Sequence, residues 1–367
     1  MKRRIFVSSS FGLCIGWSLF ALAGIAAKSY ASAMRSHRVL DLDMFDVNRQ
    51  RLVPSRLYMP DGASPEQPVP LIVFSHGLGG SRKGYSYLGR HWADEGIASL
   101  HPQHVGSDNA LWQGNPFELL SRLRSAVRDS EVLARVHDLR FALDQVLESE
   151  QGPSIDVSKI GVAGHSYGAN TAMLISGAKV ITIDQKMVVE QDPRMQSALL
   201  ISTPPLVAQG PMEDVLGSIS IPTLHVTSLQ DTISLPGYQS TVKDRIAIFN
   251  AMGASPKTLA VFNVGGHSIF TDRITGSGPE TSFRIKNATK ELSTIFFKQT
   301  LKHRAANLGL YSPIAQPFYG KNAGLPPSKL EENHGMEQWL LKHQYLLDRF
   351  VKHETDKRSF PSRSKIQ

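Results

Sequence analysis

The chain has 367 residues, a formal net charge of +8 at pH 7 and one cysteine, Cys14. A single cysteine excludes an intrachain disulfide framework and a multi-cysteine metal site. The basic excess is small for this length, so it is typical of a solubilising surface and argues against a nucleic-acid-binding protein. The length fits one large α/β domain with additions, or at most two domains.

The first 33 residues have the pattern of an export signal. Residues 2–4 are basic, residues 5–27 carry no charge, and residues 31–33 (ASA) match the small-x-small pattern that signal peptidase cuts after. We therefore predict a cleaved signal peptide, a mature chain beginning at Met34, and export to the periplasm or the medium. Cleavage would remove the only cysteine and lower the formal charge from +8 to +4.

Two other interpretations of this segment stay open. The uncharged run is long enough to span a bilayer as a retained anchor. Arg3 and Arg4, followed by Ile5 and Phe6, loosely fit a twin-arginine signal. A lipid anchor on Cys14 is disfavoured, because leucine precedes it where a lipoprotein signal has a small residue.

Short apolar runs alternate with helical patterns from Leu52 to His303. Continuous apolar runs bounded by polar loops are typical of strands buried on both faces. Their alternation with helices predicts a mostly parallel central sheet with helices on both faces. The predicted strands are 52–58, 70–75, 97–101, 160–163, 197–202, 223–227 and 258–264. The predicted helices are 130–148, 170–176, 242–252 and 283–303.

Two segments fall outside this alternation. Asn109–Arg128 follows the predicted strand 97–101 and has the pattern of an inserted helical segment. A C-terminal extension, residues 309–367, carries an amphipathic helix predicted over Met336–Lys352 and a basic end, Lys357–Gln367, predicted to be disordered. We therefore assign residues 34–308 to one α/β domain.

The strongest chemical signal is the sequence GHSYG at residues 164–168. The apolar strand IGVA precedes it, and a helical pattern follows. A G-x-S-x-G sequence between a strand and a helix is the setting of a nucleophile elbow, which lifts the serine hydroxyl above the sheet. The setting predicts Ser166 as a nucleophile rather than an incidental serine in a glycine-rich turn.

A serine nucleophile needs a base, and His267 has the position expected for one. The strand TLAVFNV precedes Gly265, Gly266 and His267, and the glycines allow the loop to bend back toward the elbow. His225 lies inside a predicted strand. The remaining histidines after the elbow fall in the last helical patterns and the tail: His303, His334, His343 and His353.

The acid of the predicted triad is Asp231. It directly follows the strand PTLHVTS, and it stands between the nucleophile and the histidine in the chain, as the acid does in this type of site. The competing aspartates lie in less suitable places, in an apolar run, in polar connections or in a helical pattern. They are Asp184, Asp192, Asp214 and Asp244.

The sequence HGLGG at residues 76–80 follows the predicted strand 70–75 and predicts an oxyanion hole. Its donors would be the backbone N–H groups of Leu78 and of Tyr167, the residue after the nucleophile. His76 fits a structural role in this loop better than a catalytic one. His101, His104 and Asp108 match no firm metal-ligand spacing, so we predict neither a metal nor another cofactor.

These blocks resemble a known group of enzymes. FSHGLGGSRKGYSYLGRHWADEGIASLHPQHVGSD, VHDLRFALDQVLE and IGVAGHSYGANTAM are similar to the platelet-activating-factor acetylhydrolases, the predicted dienelactone hydrolases and the cutinase-like polyester hydrolases. VNRQRLVPSRLYMP resembles the first hairpin of the group, and the similarity covers about residues 38–303. The resemblance implies an α/β-hydrolase fold and a metal-free Ser-His-Asp carboxylic-ester hydrolase.

The chain departs from the group at two places. The acetylhydrolases have their acid after the strand that corresponds to the predicted strand 197–202, where this chain has Ser202-Thr203-Pro204, so Asp231 follows the cutinase-like placement. True dienelactone hydrolases have cysteine at the elbow, where this chain has Ser166.

The pattern as a whole predicts a serine hydrolase that cleaves carboxylic esters through an acyl-enzyme. An acyltransferase with the same triad and a non-catalytic binding protein on this fold are the alternatives. The substrate would be a small-molecule, lipid or polyester ester, with contact to a membrane surface and no nucleic-acid partner; no pattern predicts an oligomeric state. Apolar residues of the inserted segment would either form an acyl pocket wall or only pack: Leu111, Trp112, Phe117, Leu119 and Leu120.

Overall fold

The computed structural model describes residues 36–181, 187–206, 210–235, 237–253, 255–302 and 327–353. The predicted signal peptide, Asp184 and the predicted disordered end lie outside these ranges.

A nine-stranded sheet forms the centre of the molecule. In chain order its strands are β1 (His37–Leu42), β2 (Ser55–Pro60), β3 (Val69–Ser75), β4 (Ala98–Pro102), β5 (Ile155–His165), β6 (Met195–Ile201), β7 (Thr223–Gln230), β8 (Lys257–Gly266) and β9 (Leu347–His353). Their order across the sheet is β1-β2-β4-β3-β5-β6-β7-β8-β9. Strands β3 to β8 are parallel, and β1, β2 and β9 pair with their neighbours in antiparallel fashion. The prediction of a mostly parallel sheet is confirmed.

Helices cover both faces of this sheet. They are α1 (Ser86–Asp94), α2 (Leu119–Ala126), α3 (Asp129–Glu148), α4 (Tyr167–Ile175), α5 (Met212–Leu216), α6 (Val242–Ala251), α7 (Pro279–Thr300) and α8 (Pro327–His343). Short two-stranded sheets pair residues 45–46 with 51–52, residues 179–181 with 187–189, and residues 233–235 with 238–240.

The strand side chains alternate between two hydrophobic cores. In β3, Leu71 and Val73 face the core that contains α3 and α4, whereas Ile72 and Phe74 face the core that contains α1, α7 and α8. Because successive side chains of a strand point to opposite faces, a strand buried on both sides must be apolar throughout. This explains why β3 and β6 read as continuous apolar runs.

The segment between β4 and α3 is helical. It consists of two 3₁₀ turns, Asn109–Trp112 and Pro116–Glu118, followed by α2. The Asp108 side chain accepts a hydrogen bond from the Ala110 N–H at the start of the first turn.

The C-terminal extension differs from its prediction. The helix expected over Met336–Lys352 is α8, which ends at His343, and Leu347–His353 form β9 along the edge of β8. Leu347, Phe350 and Val351 have a helix-like spacing, but the open edge of β8 offers a row of unpaired backbone groups that a strand satisfies. Among the described residues, no helix is both long and apolar enough to cross a membrane.

Candidate active site

Ser166 occupies a strained turn between β5 and α4. Its backbone dihedrals, φ 56° and ψ −125°, lie in a region that residues with a side chain rarely adopt. The flanking glycines make the turn possible. A Cβ on Gly164 would lie 2.1 Å from the Gly168 carbonyl oxygen, and one on Gly168 would lie 2.0 Å from the Ser75 carbonyl oxygen. The local geometry is therefore that of a nucleophile elbow.

Three strand ends bring Ser166, His267 and Asp231 together. His267 Nε2 lies 2.8 Å from Ser166 Oγ, and His267 Nδ1 lies 2.8 Å from Asp231 Oδ1. Ser166 follows β5, Asp231 follows β7, and His267 follows β8. Because these parallel strands all end at the same edge of the sheet, residues far apart in the chain meet there.

Asp231 is fully buried and is held by more than the histidine. Its Oδ2 accepts a hydrogen bond of 2.7 Å from Thr227 Oγ1, and Arg245 Nε and Nη2 lie 3.3 Å from Oδ2 and Oδ1. Burial by itself would raise the pKa of Asp231. The hydrogen bond from His267 and the charge of Arg245 outweigh burial and hold the pKa well below its ordinary value. The carboxylate is therefore ionised at neutral pH.

Sequence reasoning missed Arg245. It lies on α6, where a basic residue in a helical pattern is by default an exposed one, yet it is almost fully buried. Its guanidinium also donates to Ser240 Oγ and to the Thr241 carbonyl oxygen. No pattern along the chain pairs residues 231 and 245, so only the packed structure shows this ion pair.

The competing aspartates have other roles or positions. Asp192 is buried and forms an ion pair with Arg194. Asp214 is exposed in the first turn of α5, and Asp244 closes a capping box at the start of α6. Asp184 lies outside the described residues.

The loop after β3 closes over the nucleophile. A Cβ on Gly77 would lie 3.3 Å from Ser166 Cβ, so the loop backbone is in close contact with the elbow. Within the described parts of the chain, neither the Leu78 N–H nor the Tyr167 N–H has a hydrogen-bond acceptor. Tyr167 is the first residue of α4, where backbone donors have no partner inside the helix.

The His76 ring is bonded to its own loop and to the segment after β4. Its Nδ1 donates to the Gly77 carbonyl oxygen at 2.7 Å, and its Nε2 accepts from the His104 N–H at 3.1 Å. Burial is the largest cause that lowers the pKa of His76 well below its ordinary value, so the ring is neutral. Both ring nitrogens are occupied by backbone groups.

A buried arginine supports the same loop, and it too was missed. Arg135 on α3 is fully buried and donates to the His76 carbonyl oxygen, to Ser75 Oγ at 3.0 Å and to Ser107 Oγ at 2.8 Å. Its guanidinium carbon lies 4.5 Å from the centre of the Tyr167 ring. Burial lowers the pKa of Arg135 to about 10. The only sequence signal was a charged residue among the apolar positions of α3.

The residues considered for a metal have separate partners. His104 Nδ1 lies 3.1 Å from Asp138 Oδ2, His101 Nε2 lies 3.1 Å from Ser99 Oγ, and Asp108 accepts from Gln103 at 2.6 Å. In the described ranges, no group of three or more histidine, cysteine or acidic side chains is arranged to hold a metal ion.

The inserted segment lies against the loop after β3 through one tryptophan. Trp112 Nε1 donates to the Gly79 carbonyl oxygen at 2.9 Å, and Gly79 has a φ of +70°. Leu111 is buried, whereas Trp112 is half-exposed and Phe117 is 96% exposed. The segment therefore places the half-exposed Trp112 against the loop after β3, whereas Leu111 is buried in the fold.

The sheet order, the helices on both faces and the elbow after β5 define the class of this protein: it has the α/β-hydrolase fold. Residues 59–112, from the end of β2 through the loop after β3 to Trp112, match the family described as platelet-activating factor acetylhydrolase, isoform II. This match confirms the resemblance to the acetylhydrolases.

A curated relative supports the same similarity. The platelet-activating factor acetylhydrolase of Canis lupus familiaris is 31% identical over 137 residues, which covers 28% of this chain and 31% of the relative. The chain thus spans about a third of the length of the curated relative that it matches.

Proposed function

We propose that this protein is a serine hydrolase that cleaves carboxylic esters, with Ser166 as nucleophile, His267 as general base and Asp231 as the acid. The observation that carries the proposal is the pair of 2.8 Å hydrogen bonds that links Ser166 through His267 to Asp231. A hydroxyl bonded to an imidazole, which is bonded in turn to a buried carboxylate, is the arrangement that activates serine in acyl transfer.

The geometry supports a two-step mechanism. His267 Nε2 takes the proton as Ser166 Oγ attacks the ester carbonyl, and Asp231 stabilises the imidazolium. The N–H groups of Leu78 and Tyr167 hold the oxyanion. The carbon–oxygen bond to the leaving alcohol then breaks, and the alcohol leaves with the proton from His267. Water, deprotonated by His267, attacks the acyl-enzyme and releases the acid.

We propose a lipid ester as the substrate class. The similarity to acetylhydrolases of platelet-activating factor favours a lipid over a polyester. The half-exposed Trp112, which donates a hydrogen bond to the loop after β3, would suit an apolar substrate or a lipid surface. Acyl transfer to an alcohol remains the second candidate, because the same acyl-enzyme serves both reactions.

A labelling experiment tests this proposal. A fluorophosphonate probe should modify the wild-type protein at Ser166, because the probe reacts with an activated serine, and the modified peptide is identified by mass spectrometry. A series of p-nitrophenyl esters with increasing acyl chain length then measures the acyl preference, and added alcohol tests for transfer. An unlabelled, folded protein that cleaves none of the esters would favour the non-catalytic alternative.

Export is a separate proposal. We expect the exported protein to begin at Met34, because signal peptidase cuts after patterns such as Ala31-Ser32-Ala33. N-terminal sequencing of the protein from the periplasm and the medium measures this. An intact Met1 in the membrane fraction would support the retained anchor instead.

A further inference from the structure

A bridge of hydrogen bonds joins two segments that lie close to Ser166: the loop after β3, which contains Gly77, and the segment after β8, which begins at His267. The Gly77 N–H donates to the Tyr85 hydroxyl oxygen at 3.3 Å, and that oxygen lies 2.8 Å from His165 Nδ1. His165 Nε2 lies 3.0 Å from the carbonyl oxygen of His267. The bridge runs from the loop after β3, through the residue before the nucleophile, to the residue proposed as the base.

The direction of every hydrogen bond in this bridge is determined. A carbonyl oxygen only accepts, so His165 Nε2 carries a proton and donates to His267. Burial lowers the pKa of His165 to about 3, so the ring is neutral and its Nδ1 has a free lone pair. Tyr85 must then donate its hydroxyl proton to Nδ1, and the oxygen is free to accept from the Gly77 N–H.

Several glycines lie in the backbone at both ends of the bridge, and they explain why a connection is needed there. Gly77, Gly79 and Gly80 lie in the loop after β3, and Gly265 and Gly266 form the end of β8 directly before His267. Glycine loses the most conformational freedom on folding, so loops rich in it hold their shape only if other contacts fix them. Tyr85 and His165 are both buried, so water does not replace their bonds easily.

Tyr85 itself is held in an unusual conformation. It precedes α1 with φ 59° and ψ 30°, in the left-handed region, where tyrosine is strained. Strained residues persist where several contacts over-determine their position. Tyr85 packs against Phe74, with ring centres 4.6 Å apart, while its hydroxyl makes both bonds of the bridge.

We propose that Tyr85 and His165 are positioning residues. They hold the loop after β3, which contains Gly77 and Leu78, at a fixed distance from the segment after β8, which begins at His267. The inference rests on the proposed function, because it assigns a role in the same reaction. Neither side chain touches the reacting atoms. They act by fixing the backbone of Gly77, next to the proposed oxyanion donor Leu78, and the backbone of His267.

The test is Tyr85→Phe, which removes one oxygen and leaves the ring in place. We expect kcat to fall by about 10-fold to 100-fold with KM changed less than about twofold, because binding is kept and the alignment of donors and base is lost. Binding of a trifluoromethyl ketone should weaken by the same factor as kcat/KM, since its hemiketal oxyanion needs the same alignment.

The matched control is Tyr87→Phe. Tyr87 is partly buried, and its hydroxyl makes one hydrogen bond, to the Phe270 carbonyl oxygen at 3.0 Å, but it does not join the two segments. This variant should keep kcat within about threefold of wild type. If both variants lost the same factor in kcat at equal thermal midpoints, the loss would be a general effect of removing a hydrogen-bonded hydroxyl. The proposed role of the bridge would then be wrong.

A second pair of variants tests the histidine. His165→Gln places an amide nitrogen where it still donates to the His267 carbonyl oxygen, whereas His165→Leu has no donor. We expect the glutamine variant to retain at least about tenfold more activity than the leucine variant. Wild-type protein that neither reacts with the probe nor cleaves esters would instead refute the proposed function. Active wild type with an equally active Tyr85→Phe variant would refute the bridge alone.

Discussion

Ser166→Ala is expected to lower ester turnover by at least about a thousandfold, while the protein stays folded. The substitution removes the oxygen that lies 2.8 Å from His267 Nε2 and keeps the Cβ that already fits the strained turn. Residual activity would come only from water activated by His267 and from the oxyanion donors. Hydrolysis of a p-nitrophenyl ester measures the effect, and circular dichroism with the thermal midpoint verifies the fold.

Ser197→Ala is a suitable control for this substitution. Ser197 is also buried, but it lies within β6, and its hydroxyl has no hydrogen-bond partner among the described residues. Its removal should leave kcat near the wild-type value. A folded Ser166→Ala variant with a near-wild-type rate would mean that this serine is not the nucleophile, and the proposed function would be wrong.

Asp231→Asn is expected to lower kcat by about three to four powers of ten. In the wild type, the carboxylate only accepts, so His267 Nδ1 carries the proton and Nε2 is free to take one from Ser166. An asparagine amide that faces His267 would donate to Nδ1 and favour the opposite tautomer, whose Nε2 already carries a proton. The other amide orientation directs its NH₂ toward Arg245 Nε, which also only donates.

Two matched substitutions separate this effect from a general loss of charge. Asp214→Asn changes an exposed aspartate of α5, and Asp184→Asn changes the competing candidate closest to the nucleophile in the chain. Both should leave kcat nearly unchanged. If Asp184→Asn were inactive and Asp231→Asn active, the acid would have been assigned after the wrong strand. Steady-state rates on the same ester, compared with thermal midpoints, decide between these results.

The sequence by itself determined the fold and the order of the candidate site. Because β3 and β6 are buried on both faces, their central residues, Leu71–Phe74 and Ala198–Ile201, are apolar at every position, and this made the strands recognisable without any knowledge of their partners. The elbow was recognisable for a similar reason. The steric demand at Gly164 comes from the Gly168 carbonyl oxygen, four residues along the chain, so it leaves a local pattern. The demand at Gly168 comes from the Ser75 carbonyl oxygen, which is distant in the sequence.

Only the tertiary structure decided the contacts between distant segments. Residues with helix-like spacing form the strand β9, because pairing with the unpaired backbone groups at the edge of β8 stabilises a strand more than the local periodicity favours a helix. Three further contacts likewise connect separate elements: Arg245 with Asp231, Arg135 with the loop after β3, and Tyr85 with His165. A buried charge or hydroxyl needs a hydrogen-bond partner, and tertiary packing supplies that partner from a distant part of the chain. Such pairs therefore leave no motif in the sequence.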